Sequence, residues 1–251
     1  MKKFLFALIF LSSVQLFADE EPLVVGTTSG YAPYVSLDQK GNYEGFDIDF
    51  AELLAKKLNR KLVLKDLGSM PSLLLALQQK KIDLLIWAVS ITPDRMKNME
   101  MVYYQGEKET EMPFLFWKKV PEGVQSIEDL GKDPKFQISV EAGSFQESVL
   151  KNYPQVRLKQ VEKITDALME IRFGKSNAAM TDPSLVAELT AQFPEIKVLK
   201  LPLRPEEYAL GNGVGINKTN KELAKQVQAA AEQLLSEGKI AELEKKWKLG
   251  K

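Results

Sequence analysis

This 251-residue chain predicts an α/β fold of two lobes, each an open and mostly parallel sheet flanked by helices. Three observations carry that expectation. Strand-like apolar runs alternate with amphipathic helical ones from Leu23 to Ala88, the pattern of strand–helix–strand units. A second alternation of the same kind starts at Phe114. Two stretches, around Gly106 to Met112 and Leu201 to Tyr208, interrupt the alternation and read as passages between lobes, so that the second lobe is inserted into the first.

The elements follow in order. Leu23-Val24-Val25, ending at Gly26, reads as a buried strand, and Gly41 to Gly45 as a turn. Asp47 to Leu58 carries Ile48, Leu53, Leu54, Ala55 and Leu58 at helical spacing. Lys61 to Leu67 alternates as a strand does, Pro71 opens a helix reaching Lys80, and Leu84 to Ala88 is a continuous apolar strand. In the inserted lobe, Phe114 to Lys118, Phe136 to Val140, Ala178 to Met180 and Ile196 to Leu201 read as strands. Ile127 to Leu130, Ser144 to Asn152, Ile164 to Phe173 and Pro183 to Phe193 read as helices. Ser144 with Glu147 three residues on predicts a capping box. Val214 to Ile216 is a short strand, and Asn220 to Gly238 and Lys239 to Lys246 are closing helices. The expected division is residues 19–108, an inserted lobe 109–204, and a return 205–251.

Composition narrows the chemistry. Lys and Arg number 34, Asp and Glu 34, and the balanced charge gives no basic excess for nucleic acid. The absence of cysteine removes disulfides and thiolate sites, and the absence of histidine removes the commonest general base and metal ligand. Neither a metal nor another cofactor is expected.

Residues 1–18 read as a secretory signal peptide. Lys2 and Lys3 precede an apolar stretch from Phe4 to Leu11, and Leu16-Phe17-Ala18 offers a cleavage site before Asp19. The apolar stretch falls short of the ~20 residues of a membrane span. Without a cysteine, the processed end cannot carry a thioether-linked lipid, so the expectation is a soluble periplasmic protein that is not a lipoprotein.

Gly45-Phe46-Asp47-Ile48-Asp49-Phe50, with Leu54-Ala55 and Leu58, resembles the signature of the amino-acid-binding proteins of ABC transporters. Gly26-Thr27-Thr28 with Tyr31-Ala32-Pro33-Tyr34 is similar to that family's first ligand loop, and Ser90-Ile91-Thr92-Pro93-Asp94-Arg95 to its second. Gly143-Ser144-Phe145-Gln146-Glu147, Asp182 and the ending at Trp247 extend the resemblance over Leu23 to Leu249. It implies a type II periplasmic-binding-protein fold, an interlobe cleft for a free amino acid, and delivery by a monomer to the permease of an importer. The ligand residues it implies are Thr28, Tyr31, Met70, Trp87, Ala88, Ser90, Arg95, Glu141, Ser144, Phe145 and Asp182.

Residue chemistry gives each a task. The planar fork of Arg95 suits an α-carboxylate, aided by the N–H groups that Ser144 and Phe145 present at a helix start. Asp182, the Ser90 hydroxyl and the Ala88 carbonyl suit an α-ammonium. Without the resemblance, Asp182 before Pro183 reads first as an N-cap, Arg95 as a solvated side chain, and Asp47 and Asp49 as helix-dipole partners. Trp87 serves equally as core or as cleft wall, and Glu141 as an inward or an outward carboxylate. The resemblance implies departures in the side-chain pocket: members that bind lysine or arginine often carry an acid at the position of Thr28, many have an aromatic at that of Met70, and that of Trp87 is usually small. An inward Glu141, with Tyr31 and Trp87 as aromatic walls, would favour a cationic side chain, arginine first. Two other functions are compatible with the same fold: a cyclohexadienyl dehydratase-like enzyme, and a ligand sensor that does not transport.

Overall fold

The computed structural model describes residues 21–249, so the expected signal segment lies outside the described residues. The first sheet takes β1 (Leu23–Thr27), then a small hairpin of β2 (Ser36–Leu37) and β3 (Tyr43–Glu44) follows, and α1 (Phe46–Lys57) leads to β4 (Leu62–Asp66). Next come α2 (Met70–Gln78), β5 (Leu84–Leu85), α3 (Pro93–Asn98) and the long β6 (Met99–Glu109). The chain then enters the second sheet through β7 (Glu111–Trp117), α4 (Ile127–Leu130), β8 (Gln137–Glu141), α5 (Phe145–Leu150) and β9 (Arg157–Val161). It continues through α6 (Ile164–Arg172), β10 (Ala178–Met180), α7 (Val186–Gln192) and β11 (Ile196–Pro202). β12 (Ala209–Asn217) returns to the first sheet, and α8 (Lys221–Ser236) and α9 (Lys239–Trp247) close the lobe.

The strand orders are β4-β1-β5-β12-β6 and β11-β7-β10-β8-β9. Each sheet contains one strand running against the other four: β12 in the first, β7 in the second. Those two reversed strands are the ones that enter from the opposite lobe. The mostly parallel architecture therefore holds, with the interlobe passages as its exceptions. The passages lie side by side: Glu109 pairs with Ala209, and the Leu203 N–H donates to the Thr110 carbonyl at 2.9 Å.

Each lobe has its own core. In the first, Phe46, Phe50 and Leu54 of α1 pack with Leu84, Leu85, Val214 and Ile216, and Phe50 stacks on Tyr104 at 4.4 Å between ring centroids. In the second, Phe114, Phe116, Ile138 and Val140 form one layer with Val149 and Leu150. Among the described residues no helix is long and apolar enough to cross a membrane.

Three local expectations change. The run Leu84 to Ala88 stays in the ladder only at Leu84–Leu85, because the backbone turns through Ala88 at φ 42°. β6 and β9 are strands where charged and polar residues concealed the alternation, and Pro93–Asn98 is a helix capped by Thr92, whose Oγ1 accepts the Arg95 N–H at 3.2 Å. The capping box on α5 forms by half: Ser144 Oγ accepts the Glu147 N–H at 3.0 Å, while the Glu147 carboxylate takes the Gly143 N–H at 2.6 Å.

The start of α1 shows why Gly45 stands there. Its φ is 134°, and a Cβ would sit 2.0 Å from the Tyr34 carbonyl oxygen, a backbone atom that cannot move aside. The close approach lets the Pro33 and Tyr34 carbonyls accept the Phe46 and Asp47 N–H groups, donors that a helix start leaves unpaired. Gly45→Ala is expected to cost on the order of 3 kcal/mol or more through clash and strain. Urea denaturation checks this, and an unchanged midpoint would refute it.

Candidate ligand-binding site

The ends of the central parallel strands of both sheets face one another, the place where open α/β sheets bind ligands. Thr28 and Tyr31 follow β1, Trp87, Ala88 and Ser90 follow β5, Glu141 ends β8, and Asp182 follows β10. Met70 opens α2, Arg95 rides on α3, and Ser144 and Phe145 open α5.

Ten of the eleven expected residues line one cavity between the lobes: Tyr31, Met70, Trp87, Ala88, Ser90, Arg95, Glu141, Ser144, Phe145 and Asp182. Thr28 does not line it. Thr28 belongs to a neighbouring cavity with Gly68, Glu141, Lys163 and the other sides of Tyr31 and Trp87. Gln146 is the lining residue that the sequence reading missed; it sits one position beyond Phe145 in the first turn of α5. The cavity measures about 30 Å³, room for a few waters. Arg95 also lines, together with Gly143, a groove of about 700 Å³ between α2 and α5, so its side chain is a wall shared by the cavity and the outside.

The guanidinium of Arg95 joins the two lobes. Nη1 donates to the Ser90 carbonyl at 2.9 Å on its own side, and Nη2 donates to the Gly143 carbonyl at 3.1 Å across the cleft. Burial lowers its pKa to about 10, which leaves it charged at neutral pH. The same planar fork that holds two carbonyls here matches a carboxylate.

Asp182 satisfies both of its readings. Oδ1 accepts the Ser184 N–H at 2.8 Å and the Ser184 hydroxyl at 2.5 Å, capping the turn Pro183–Leu185. The carboxylate is buried, faces the Tyr31 hydroxyl and lines the cavity. Burial raises its pKa, and the bonds from Ser184 and Tyr31 oppose that rise.

Glu141 lies in both small cavities, beside Tyr31 and Trp87, whose rings stand 5.2 Å apart. Burial pushes its pKa up to about 7, with Lys163 opposing and Asp166 adding to the rise. Trp87 Nε1 and Thr28 Oγ1 are buried there without a partner among the described residues.

Asp47 differs from its expected role. It makes no cap bond to its own helix. Instead its buried carboxylate accepts the Ala88 N–H at 2.6 Å and the Tyr104 hydroxyl at 2.7 Å, pinning the left-handed turn that presents Trp87 and Ser90. Asp49 accepts from Lys246 and from Trp247 Nε1, tying α1 to α9. Among the described residues no group of acidic side chains is placed to hold a metal.

The model of the bacterial extracellular solute-binding proteins, family 3, matches residues 23–251. The chain is similar to the probable ABC transporter arginine-binding protein ArtJ of Chlamydia trachomatis, 32% identical over 92% of this chain and 88% of the relative. Among solved structures it is similar to an ancestral arginine-binding protein bound to arginine, with a TM-score of 0.77 and 26% identity over 91% of this chain and 99% of the other. It is also similar to the ancestral amino acid-binding protein AncCDT-1, a precursor of cyclohexadienyl dehydratase, with a TM-score of 0.75 and 28% identity over 90% and 94%. With two lobes, the second inserted into the first, a cavity between facing strand ends and a family match over almost its full length, the chain belongs to the bacterial extracellular solute-binding proteins, family 3.

Proposed function

We propose that this protein captures a free amino acid with a cationic side chain, arginine first, and delivers it as a monomer to the permease of an ABC importer. Export with cleavage after Ala18 would place it, without a lipid anchor, outside the cytoplasmic membrane. The observation that carries the reading is the convergence of three complementary groups on one cavity: the Arg95 fork, the Asp182 carboxylate and the Glu141 carboxylate. Arg95 answers an α-carboxylate, Asp182 an α-ammonium, and Glu141 between two aromatic rings a guanidinium. The arginine-binding names of the similar proteins support the same ligand. The cavity is smaller than an amino acid, so admission requires the lobes to part, pivoting about Thr110 and the passage 203–208.

Calorimetry with arginine, lysine and glutamine tests the reading. Arginine is expected to bind most tightly and glutamine least. Glu141→Gln should cost arginine tenfold or more, about 1.4 kcal/mol, and leave glutamine nearly unchanged. Arginine affinity should also fall as pH drops below 7, because Glu141 takes up a proton there and a neutral carboxyl attracts a guanidinium weakly. Equal losses for both ligands would refute the cationic pocket.

One observation favours a second reading. A cleft carboxyl titrating at about 7 is suited to general acid catalysis, and AncCDT-1 is described as the precursor of a dehydratase. Product formation from prephenate would establish the enzyme, and its absence leaves the binding protein.

A further inference from the structure

Next to the ligand cavity lies a second one, of about 20 Å³, whose polar groups the roles above leave unused. Arg95 and Asp182 line only the first cavity, and Thr28 and Lys163 only the second. Tyr31, Trp87 and Glu141 line both. An amino acid held by its α-groups at Arg95 and Asp182 therefore runs its side chain past the Tyr31 and Trp87 rings, and a long side chain ends in the second cavity.

The polar groups around that cavity are of both kinds. Trp87 is 6% exposed and Thr28 3%, and neither the indole N–H nor the Thr28 hydroxyl has a hydrogen-bond partner among the described residues. An indole N–H is a donor only, whereas a hydroxyl also accepts. Ser29, on the same wall, is already engaged: its N–H and its hydroxyl both donate to Asp66 Oδ2, at 3.0 Å and 2.7 Å. Glu141 supplies acceptors, and the charge of Lys163 on that wall offsets part of its own. A buried donor without a partner is costly, so the group that fits this cavity brings an acceptor to Trp87 and donors to Glu141 and Thr28. A guanidinium carries N–H groups only and leaves the indole unpaired.

We propose that the second cavity also takes the neutral, planar ureido end of citrulline, and that the Trp87 indole N–H selects it by donating to its carbonyl oxygen. The proposal rests on the reading that Arg95 and Asp182 address the ligand's α-groups, and it adds a neutral ligand class to the cationic one. Citrulline has the length and flatness of arginine, with an oxygen in place of one terminal nitrogen. That oxygen accepts from Trp87, and the remaining N–H groups donate to the Glu141 carboxylate and the Thr28 hydroxyl. Glutamine carries the same kinds of atom, but its amide stops two bonds short of that depth. A site built to bond a particular ligand atom discriminates strongly against ligands without it, because its own buried group is then left unpaired. Trp87 is thus a specificity-determining residue and not only an aromatic wall. Glu141 serves both ligands, as a charge for the guanidinium and as an acceptor for the ureido group.

Calorimetry at pH 8 with citrulline, arginine and glutamine is the test. Citrulline is expected within about tenfold of arginine and about tenfold or more tighter than glutamine. Trp87→Phe keeps an aromatic ring and removes the N–H, so the affinity of citrulline relative to arginine should fall by about tenfold or more. Glu141→Gln should move that ratio the other way, because it removes a charge and keeps an acceptor. If Trp87→Phe does not fold, the original chain still decides. Its three tryptophans give separate indole N–H signals by nitrogen-15 NMR, and Trp117→Phe and Trp247→Phe assign the third to Trp87. That signal should move downfield with citrulline and not with arginine. Citrulline no tighter than glutamine, equal losses of citrulline and arginine in Trp87→Phe, or an indole signal that citrulline does not move overturns the proposal. Citrulline bound with arginine refused overturns the cationic preference and leaves the ureido site standing. Refusal of all three ligands overturns the amino-acid reading and the proposal with it.

Discussion

Asp182→Asn is expected to weaken arginine and glutamine by a similar large factor, because it acts on the ammonium that both ligands carry. Removing one member of a desolvated charge pair costs about 2–5 kcal/mol, a factor of roughly 30 to several thousand. Asparagine keeps an oxygen that can accept from Ser184, so the cap on Pro183–Leu185 survives and the loss reads as binding rather than unfolding. Calorimetry with both ligands, beside a thermal melt, is the measurement. A variant that changes preference between arginine and glutamine while keeping affinity would move Asp182 to the side-chain pocket.

Arg95→Lys should cost about 2 kcal/mol, roughly thirtyfold in affinity, although the charge is kept. A lysine ammonium is a point charge on a flexible stem and cannot present two parallel N–H groups to a carboxylate. The structure adds a second expectation. Arg95 holds Ser90 on one lobe and Gly143 on the other with separate nitrogens, and a lysine reaches only one of them well. The variant should therefore populate a more open form, seen as a larger radius of gyration by small-angle scattering. Binding like that of the original protein would mean that the carboxylate is held elsewhere, at the start of α5.

The legible part of this protein is the part governed by short-range rules. Helical spacing from Ile48 to Leu58, the strand Ala178 to Met180 and the short helix Ile127 to Leu130 all depend on local periodicity, and the structure has them close to where the sequence places them. β6 was hidden because Glu107, Lys108 and Glu109 resemble a solvated loop; its extended form comes from a partner strand, β12, about a hundred residues away in sequence. Trp87 followed an apolar run that looks like an uninterrupted strand. The run ends early because the buried Asp47 captures the Ala88 N–H and turns the chain. Asp47 is available for that bond because the Pro33 and Tyr34 carbonyls already satisfy the first donors of its helix.

By itself, the sequence determined the class of fold and the membership in a solute-binding family, since both are written in the order and spacing of residues. It also named a fork and two carboxylates suited to an amino acid. Tertiary structure alone decided which way those groups face. It turned Glu141 toward Tyr31 and Trp87, left Thr28 in the adjoining cavity and added Gln146 to the wall. The reason is physical: a side chain's burial and its charged neighbours are set by packing between distant segments, and no local pattern encodes them.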